Sequence, residues 1–380
     1  MNKILKENKL VYIPAILPSK GLFEQKKGFD YSPNFWSNNA IWDYNIMLIS
    51  AYHGKSIENV HDEFGVKDDV FILGDSGGFQ LVTLGGSISP EEVIKWQKQN
   101  CSAGLILDRP PYHFGGNAQF SGTPTKEFFN ECLNITKNNA KVALKNKENL
   151  ILYGVIQGET YEQMCQWYEE MHNLEKELNI EFDAWALSPK PSDNPIKVAL
   201  FAILSQEYKI KKPMHILQIS GGGGILTSAF FRNMIQETVT IDSSSYSGAS
   251  RYGQIISPLN IPSCIPIGNK LEKNNKKGWF CDCPVCSKLN MDLSTMTDKH
   301  LGYLDIHNLY QIAKLVKYAD YISQFDDIIL TEAKREGQRC YISIEMLIFY
   351  RDNGFSKTMV KYLEYFKQSE DNKQNSLFDF

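Results

Sequence analysis

Seven short apolar runs, each closed by a small or polar residue, punctuate the first two-thirds of the chain. They are IMLIS (46–50), VFILGD (70–75), AGLILD (103–108), LILYGVIQG (150–158), AWALS (184–188), HILQISG (215–221) and VTID (239–242). A strand with one wet face alternates apolar and polar residues, whereas these runs are nearly continuous and read as strands buried on both faces. Amphipathic stretches lie between them, such as PEEVIKWQKQ (90–99) and TYEQMCQWYEEMHNLEKEL (160–178). The alternation predicts an α/β protein with parallel strands covered by helices. Two architectures satisfy it, an open doubly wound sheet and a TIM (β/α)8 barrel. The barrel is preferred, with the eighth strand expected in the Pro-rich stretch after residue 250.

Both architectures build chemistry at the carboxyl ends of the strands. Asp75, Asp108, Gln157, Ser188, Gln218 and Asp242 stand there. The net charge is −4 and the sequence pI about 6.0, so no global basic character marks a nucleic-acid binder. Phosphate contacts would have to come from local groups: Lys270, Lys273, Lys276 and Lys277 in one loop, or Lys209, Lys211 and Lys212. Each is as readily a solvated surface lysine. No run approaches the ~18 apolar residues that cross a bilayer, so no membrane partner is expected and the cytoplasm is the expected location. Helical pattern resumes near His307, and again from about 341 to 366. The expected organisation is a barrel over 1–260, a metal-binding subdomain with a return helix over 261–325, C-terminal helices over 326–366, and a disordered tail over 367–380.

Five cysteines (Cys101, Cys132, Cys165, Cys264 and Cys340) are scattered, as reduced core cysteines are. The other three fall within FCDCPVCSKL as Cys281, Cys283 and Cys286. A C-x-C-x-x-C turn lets three thiolates converge on one ion. A fourth ligand would close a tetrahedral, structural zinc site, and His307 and His300 compete for that place.

Two further segments carry carboxylates. DSGGFQ (75–80) puts Asp75 before two glycines, which would let backbone approach a flat ligand, with Phe79 free to stack. TIDSSSYSGASRYG (240–253) puts Asp242 before a run of small residues. Either aspartate alone reads equally well as a helix cap. Together, one ionised and one holding a proton would suit double displacement at a glycosidic carbon. Asp108 and Gln157 would suit a guanine-like edge. The GGGG run (221–224) lacks the G-K-[ST] that would make it a nucleoside-triphosphate loop.

DSGGFQ, LILD, VIQG, the ALS strand end, HILQISG, the ID strand end and CDCPVC followed by IHNL occur in this order over about residues 70–320. In that order the chain resembles the tRNA-guanine transglycosylase superfamily. The resemblance implies a TIM barrel with an inserted zinc subdomain and a structural zinc on Cys281, Cys283, Cys286 and His307. It implies Asp242 as nucleophile at C1′ and Asp75 as general acid/base. Ser76, Gly78, Phe79, Asp108, Gln157, Leu187, Ser188 and Gln218 would bind the base, which must leave the nucleic-acid stack to arrive there. The sequence departs from the bacterial tRNA enzymes in three places. Glu159 follows Gly158 where the family has a second glycine, and Gln218 stands where a methionine closes the base pocket. SSSYSGASRYG keeps only Arg251 near the nucleophile. These departures favour the branch that inserts 7-deazaguanines such as preQ0 into DNA. The C-terminal Gln374-Asn375-Ser376-Leu377-Phe378 fits a peptide that docks on a sliding clamp, a DNA-bound partner. The alternatives are a tRNA-guanine transglycosylase and a non-catalytic zinc scaffold subunit. The family also admits a homodimer or helper proteins.

Overall fold

Eight parallel strands close into a barrel in sequence order in this computed structural model. They are β1 (Leu10–Ile16), β2 (Ile46–Ser50), β3 (Phe71–Asp75), β4 (Ala103–Leu105), β5 (Ile151–Ile156), β6 (Ala184–Leu187), β7 (Met214–Ile216) and β8 (Val239–Ser243). The seam joins β8 to β1, with Ile13 opposite Asp242 and Pro14 opposite Ser243. The structure describes residues 3–16, 31–114, 120–121, 124–188, 194–252, 254–256, 264–266, 281–288 and 301–367. His300, the Lys270–Lys277 loop and the 374–378 clamp-type peptide lie outside these residues.

The eighth strand is the N-terminal LVYIPAI, not a segment after residue 250. Pro14 disguises it, because proline donates no ladder hydrogen bond and argues against a central strand. Here the ladder to β2 begins only at Ala15, beyond the proline. After residue 250 the chain instead forms a separate antiparallel pair, Gln254–Ile256 with Cys264–Pro266.

Helices alternate with the strands: α1 (Pro90–Asn100), α2 (Lys126–Asn146), α3 (Tyr161–Leu178), α4 (Pro195–Glu207) and α5 (Gly222–Ile235). Their starts are encoded locally. Ser89 and Glu92 form a capping box ahead of α1, with Pro90 at its first position. Thr125, Thr160 and Asn194 accept backbone N–H groups at the starts of α2, α3 and α4. Helix α6 (Leu301–Ile322) packs on β1 and α5 and completes the outer ring. Two more, α7 (Asp326–Glu336) and α8 (Gln338–Asn353), follow it.

α4 is buried from Pro195 to Ser205 on every side, as its nearly unbroken apolar sequence requires. The second cover comes from α8, which packs on both α4 and α5. That packing also accounts for one glycine of the GGGG run. A Cβ on Gly223 would stand 3.2 Å from Cys340 Cβ and 3.3 Å from Pro195 Cγ, so close helix contact, not phosphate binding, explains it. Lys209, Lys211 and Lys212 precede β7 and so lie at the amino-terminal face, away from Asp242. Lys212 is engaged there by Glu181 and the Phe182 carbonyl. Among the described residues no helix is long and apolar enough to cross a membrane.

Candidate active site and metal centre

β3 ends on Asp75 and β8 carries Asp242 one residue before its end, so both carboxylates emerge at the same mouth of the barrel. The turn after Asp75 works only with glycine. Gly77 has φ +86°, and a Cβ there would meet Tyr52 Cβ at 2.3 Å. At Gly78 a Cβ would meet the Asp108 carbonyl at 2.3 Å and its Oδ1 at 2.6 Å. The second glycine of DSGGFQ therefore lets the Asp75 turn close against the Asp108 loop.

Asp108 stands beyond β4 in that loop and accepts a 2.6 Å hydrogen bond from Gln157 Nε2. Gln157 Oε1 in turn accepts from the Tyr112 hydroxyl at 2.9 Å, and the Ser188 carbonyl lies 3.2 Å from the same hydroxyl. The Gln157 amide is thereby oriented, nitrogen toward Asp108 and oxygen toward Tyr112. Barrel ladder bonds already engage the Ser188 N–H, which donates to the Ile156 carbonyl, and the Leu187 carbonyl, which accepts from Leu217. The Ser188 carbonyl is the backbone group of this pair that stands beside the Tyr112 hydroxyl.

Two adjoining cavities use these groups. The inner one is about 30 Å³, enough for one water, with Asp75, Phe79, Asp108, Ser188 and Gln218 in its wall. The outer one is about 350 Å³ and brings Asp75 and Asp242 together with His53, Ser220 and the serines 243–245. Asp75, Gln80, Leu217 and Gln218 line both. Gln157, Ser76, Gly78 and Leu187 stand behind these walls, where Gln157 holds Asp108. A purine does not fit the inner cavity as it stands.

Burial first, then the neighbouring Asp108 and Asp242, push the Asp75 carboxyl up to about 7, against the pull of the Gly77 N–H. Burial likewise pushes Asp108 up to about 6, although Gln157 and Ser76 hydrogen bonds favour its ionised form. No Lys or Arg among the described residues lines either cavity. Asp242 is buried, and its Oδ1 accepts the Gln218 N–H at 2.9 Å. Gln218 reaches it by adopting φ +61°, a left-handed conformation that non-glycine residues seldom take. Next to it, Ser243 is fixed by the Tyr12 hydroxyl at 2.8 Å.

The second site gathers Cys281, Cys283, Cys286 and His307, whose ligand atoms all lie within 4.8 Å of one another. The three sulfurs stand 3.5, 3.3 and 3.6 Å from His307 Nδ1. A tetrahedral ion about 2.3 Å from sulfur and about 2.0 Å from nitrogen sets an S···N edge of roughly 3.5 Å. The cluster thus has the dimensions to hold a metal ion. His307 Nε2 lies 3.0 Å from the Ile256 carbonyl, which keeps a proton on Nε2 and leaves Nδ1 as the ligand atom. Gln311 Nε2 donates to Cys281 Sγ at 3.3 Å. The same helix, α6, braces the segment after Asp242. Asn308 donates to the Tyr246 carbonyl at 2.9 Å and accepts from Ile256 N–H at 2.7 Å. The metal centre and the Asp242 loop therefore share one support.

The structure brings the two predicted aspartates to one cavity and the four predicted ligands to one cluster. Sequence reading missed Tyr112, which orients Gln157, and His215, whose Nε2 lies 3.2 Å from Asp242 Oδ1. His215 had a signal: it is the one ionisable residue inside the apolar run HILQISG. Tyr112 had none beyond its place after Pro111. A scan against protein-family models and a search of curated proteins return no match to this chain.

Proposed function

We propose that this chain is a DNA-guanine transglycosylase that exchanges guanine in DNA for a 7-deazaguanine of the preQ0 type. The observation that carries the reading is the pair of carboxylates at one cavity, one of them, Asp75, held protonated by its surroundings. Asp75 is held near 7 by burial and by its acidic neighbours, while Asp242 has one oxygen fixed by a backbone donor. In the first displacement, an Asp242 oxygen bonds to C1′ as the C1′–N9 bond breaks, and guanine leaves with the N9 electron pair. Asp75 supplies a proton to the departing base. In the second, carboxylate Asp75 takes the N9 proton of the incoming base, whose N9 bonds to C1′ and releases Asp242. An acid near 7 serves both directions at neutral pH. Asp108, with Gln157 holding it, would accept from the N–H edge of the base. Phe79 and Gln218 would enclose its faces once the inner cavity opens.

The ion is read as zinc, because three thiolates and one imidazole in a tetrahedral shell are its usual structural set. Bound there it would supply rigidity, fixing α6 and through it the loop after Asp242. DNA is favoured over tRNA by the segment SSSYSGASRYG, whose only arginine, Arg251, stands exposed at the end of its helix. The test is to offer the purified protein labelled preQ0 with duplex DNA, single-stranded DNA or tRNA. Label entering DNA is expected. Label entering tRNA alone would replace DNA by tRNA as the substrate, and no incorporation into any of them would reject transglycosylation.

A further inference from the structure

We infer that His215 is a positioning residue for the nucleophile: its Nε2–H faces Asp242 and, with the Gln218 amide, holds Oδ1 so that Oδ2 is the attacking oxygen. The word nucleophile rests on the transglycosylase reading; the Nε2 contact does not.

His215 lies in the middle of β7, fully buried, opposite Thr240 of β8 and Ala186 of β6. Its Nδ1 is 2.8 Å from Thr240 Oγ1, and that hydroxyl donates to the Met214 carbonyl at 3.2 Å. The same hydroxyl can instead turn its proton to Nδ1, so the ring can carry its own proton on Nε2. Nε2 faces Asp242 Oδ1 at 3.2 Å and has no other hydrogen-bond partner among the described residues. A proton on Nδ1 alone would aim a buried lone pair at a buried carboxylate oxygen. A proton on Nε2 turns that repulsion into attraction. The remaining neighbour with a titratable group is Tyr153, whose ring meets the imidazole edge-on at 6.3 Å.

The need for a donor follows from the surroundings. A buried carboxylate without compensation is costly. No Lys or Arg among the described residues lines the cavities, so the Gln218 N–H and His215 Nε2 are the groups set against Asp242 Oδ1. Two donors on Oδ1 also suit the glycosyl ester. There Oδ1 is the carbonyl oxygen, and its polarisation eases departure of the carboxylate in the second displacement.

Two variants separate positioning from packing. His215→Gln can place a donor near the Nε2 position, whereas His215→Asn supplies one only near Nδ1. The trapped-adduct rate should fall about 10- to 100-fold in His215→Asn, with the KM for the free base little changed. His215→Gln should recover most of it. Equal rates in the two variants would overturn the assignment. Imidazole ¹⁵N spectra of the full chain, with the His215 signals identified from the His215→Gln spectrum, read the contact independently of activity. Nε2 should carry a proton in the wild type, and its signal should move in Asp242→Asn. An Nε2 without a proton in the wild type would overturn the contact even if exchange proceeds. A protonated Nε2 in a protein that exchanges no base would uphold the contact and reject the transglycosylase reading alone.

Discussion

Replacing Asp75 with asparagine should stabilise the protein above neutral pH and change little in acid. The folded state holds the Asp75 proton up to about 7, whereas an unfolded chain releases it near 3.8. The native state therefore binds more protons between these values, and stability falls as pH rises from about 4 to 7, then levels. An acid so displaced costs the folded protein at most ~4 kcal/mol at pH 8, at ~1.4 kcal/mol per pH unit. Asp108 and Asp242 share the repulsion and relax when one charge is removed, and Asp75 is only partly shielded from water. About 2 kcal/mol is the working figure at pH 8. Asparagine cannot ionise but keeps an oxygen for the Gly77 N–H. Urea unfolding of both proteins at pH 4, 6 and 8 measures the difference. It should grow from near zero to about 2 kcal/mol in favour of Asp75→Asn. A constant difference across that range, or a less stable variant at pH 8, would refute the claim that repulsion and burial hold Asp75 protonated.

Four further outcomes follow from the same geometry. Asp242→Ala should abolish base exchange while the barrel stays folded, with stability lowered by about 1–3 kcal/mol for the buried Gln218 N–H left unpaired; residual exchange above background would remove it as nucleophile. Cys283→Ser should lose the bound metal and lower stability by several kcal/mol, seen together in metal analysis and thermal melting; a metal-free variant with wild-type melting would contradict a structural centre. Gly78→Ala must push the Asp108 loop away, so exchange should fall at least 10-fold with a stability loss of about 1–3 kcal/mol; wild-type kinetics would show that the two loops need not touch. Tyr112→Phe unties the Gln157 amide and should raise the KM for the free base about 5- to 10-fold with little effect on melting, as loss of one hydrogen bond does; an unchanged KM would deny Gln157 and Asp108 their role in base recognition.

The barrel is legible in the sequence because seven strands are apolar at nearly every position, which only a doubly covered parallel sheet explains. β1 is not, because Pro14 breaks the rule by which a strand is recognised and its tolerance depends on where β2 begins to pair. Asp108 and Gln218 look like strand ends but lie beyond β4 and β7. Asp108 is set by a loop, and Gln218 by a left-handed φ that tertiary contacts impose. The thiolates were legible from spacing alone. Spacing left His307 and His300 open; the resemblance named His307, and α6 carries that histidine to the Cys281–Cys286 turn. The His215 contact with Asp242 needed the fold, because it depends on β7 and β8 lying side by side in one register. What local pattern encodes, namely caps, buried strands and metal turns, can be read directly. What depends on which strands become neighbours cannot.

Double displacement requires Asp242 to form a covalent bond to the nucleoside. The direct measurement is to incubate the protein with a DNA duplex, quench with denaturant, digest, and map the adduct by mass spectrometry. A nucleotide joined through C1′ to Asp242 is expected, absent in Asp242→Ala and discharged when 7-deazaguanine is added before the quench. Base exchange with no such adduct, or an adduct on Asp75 instead, would contradict it.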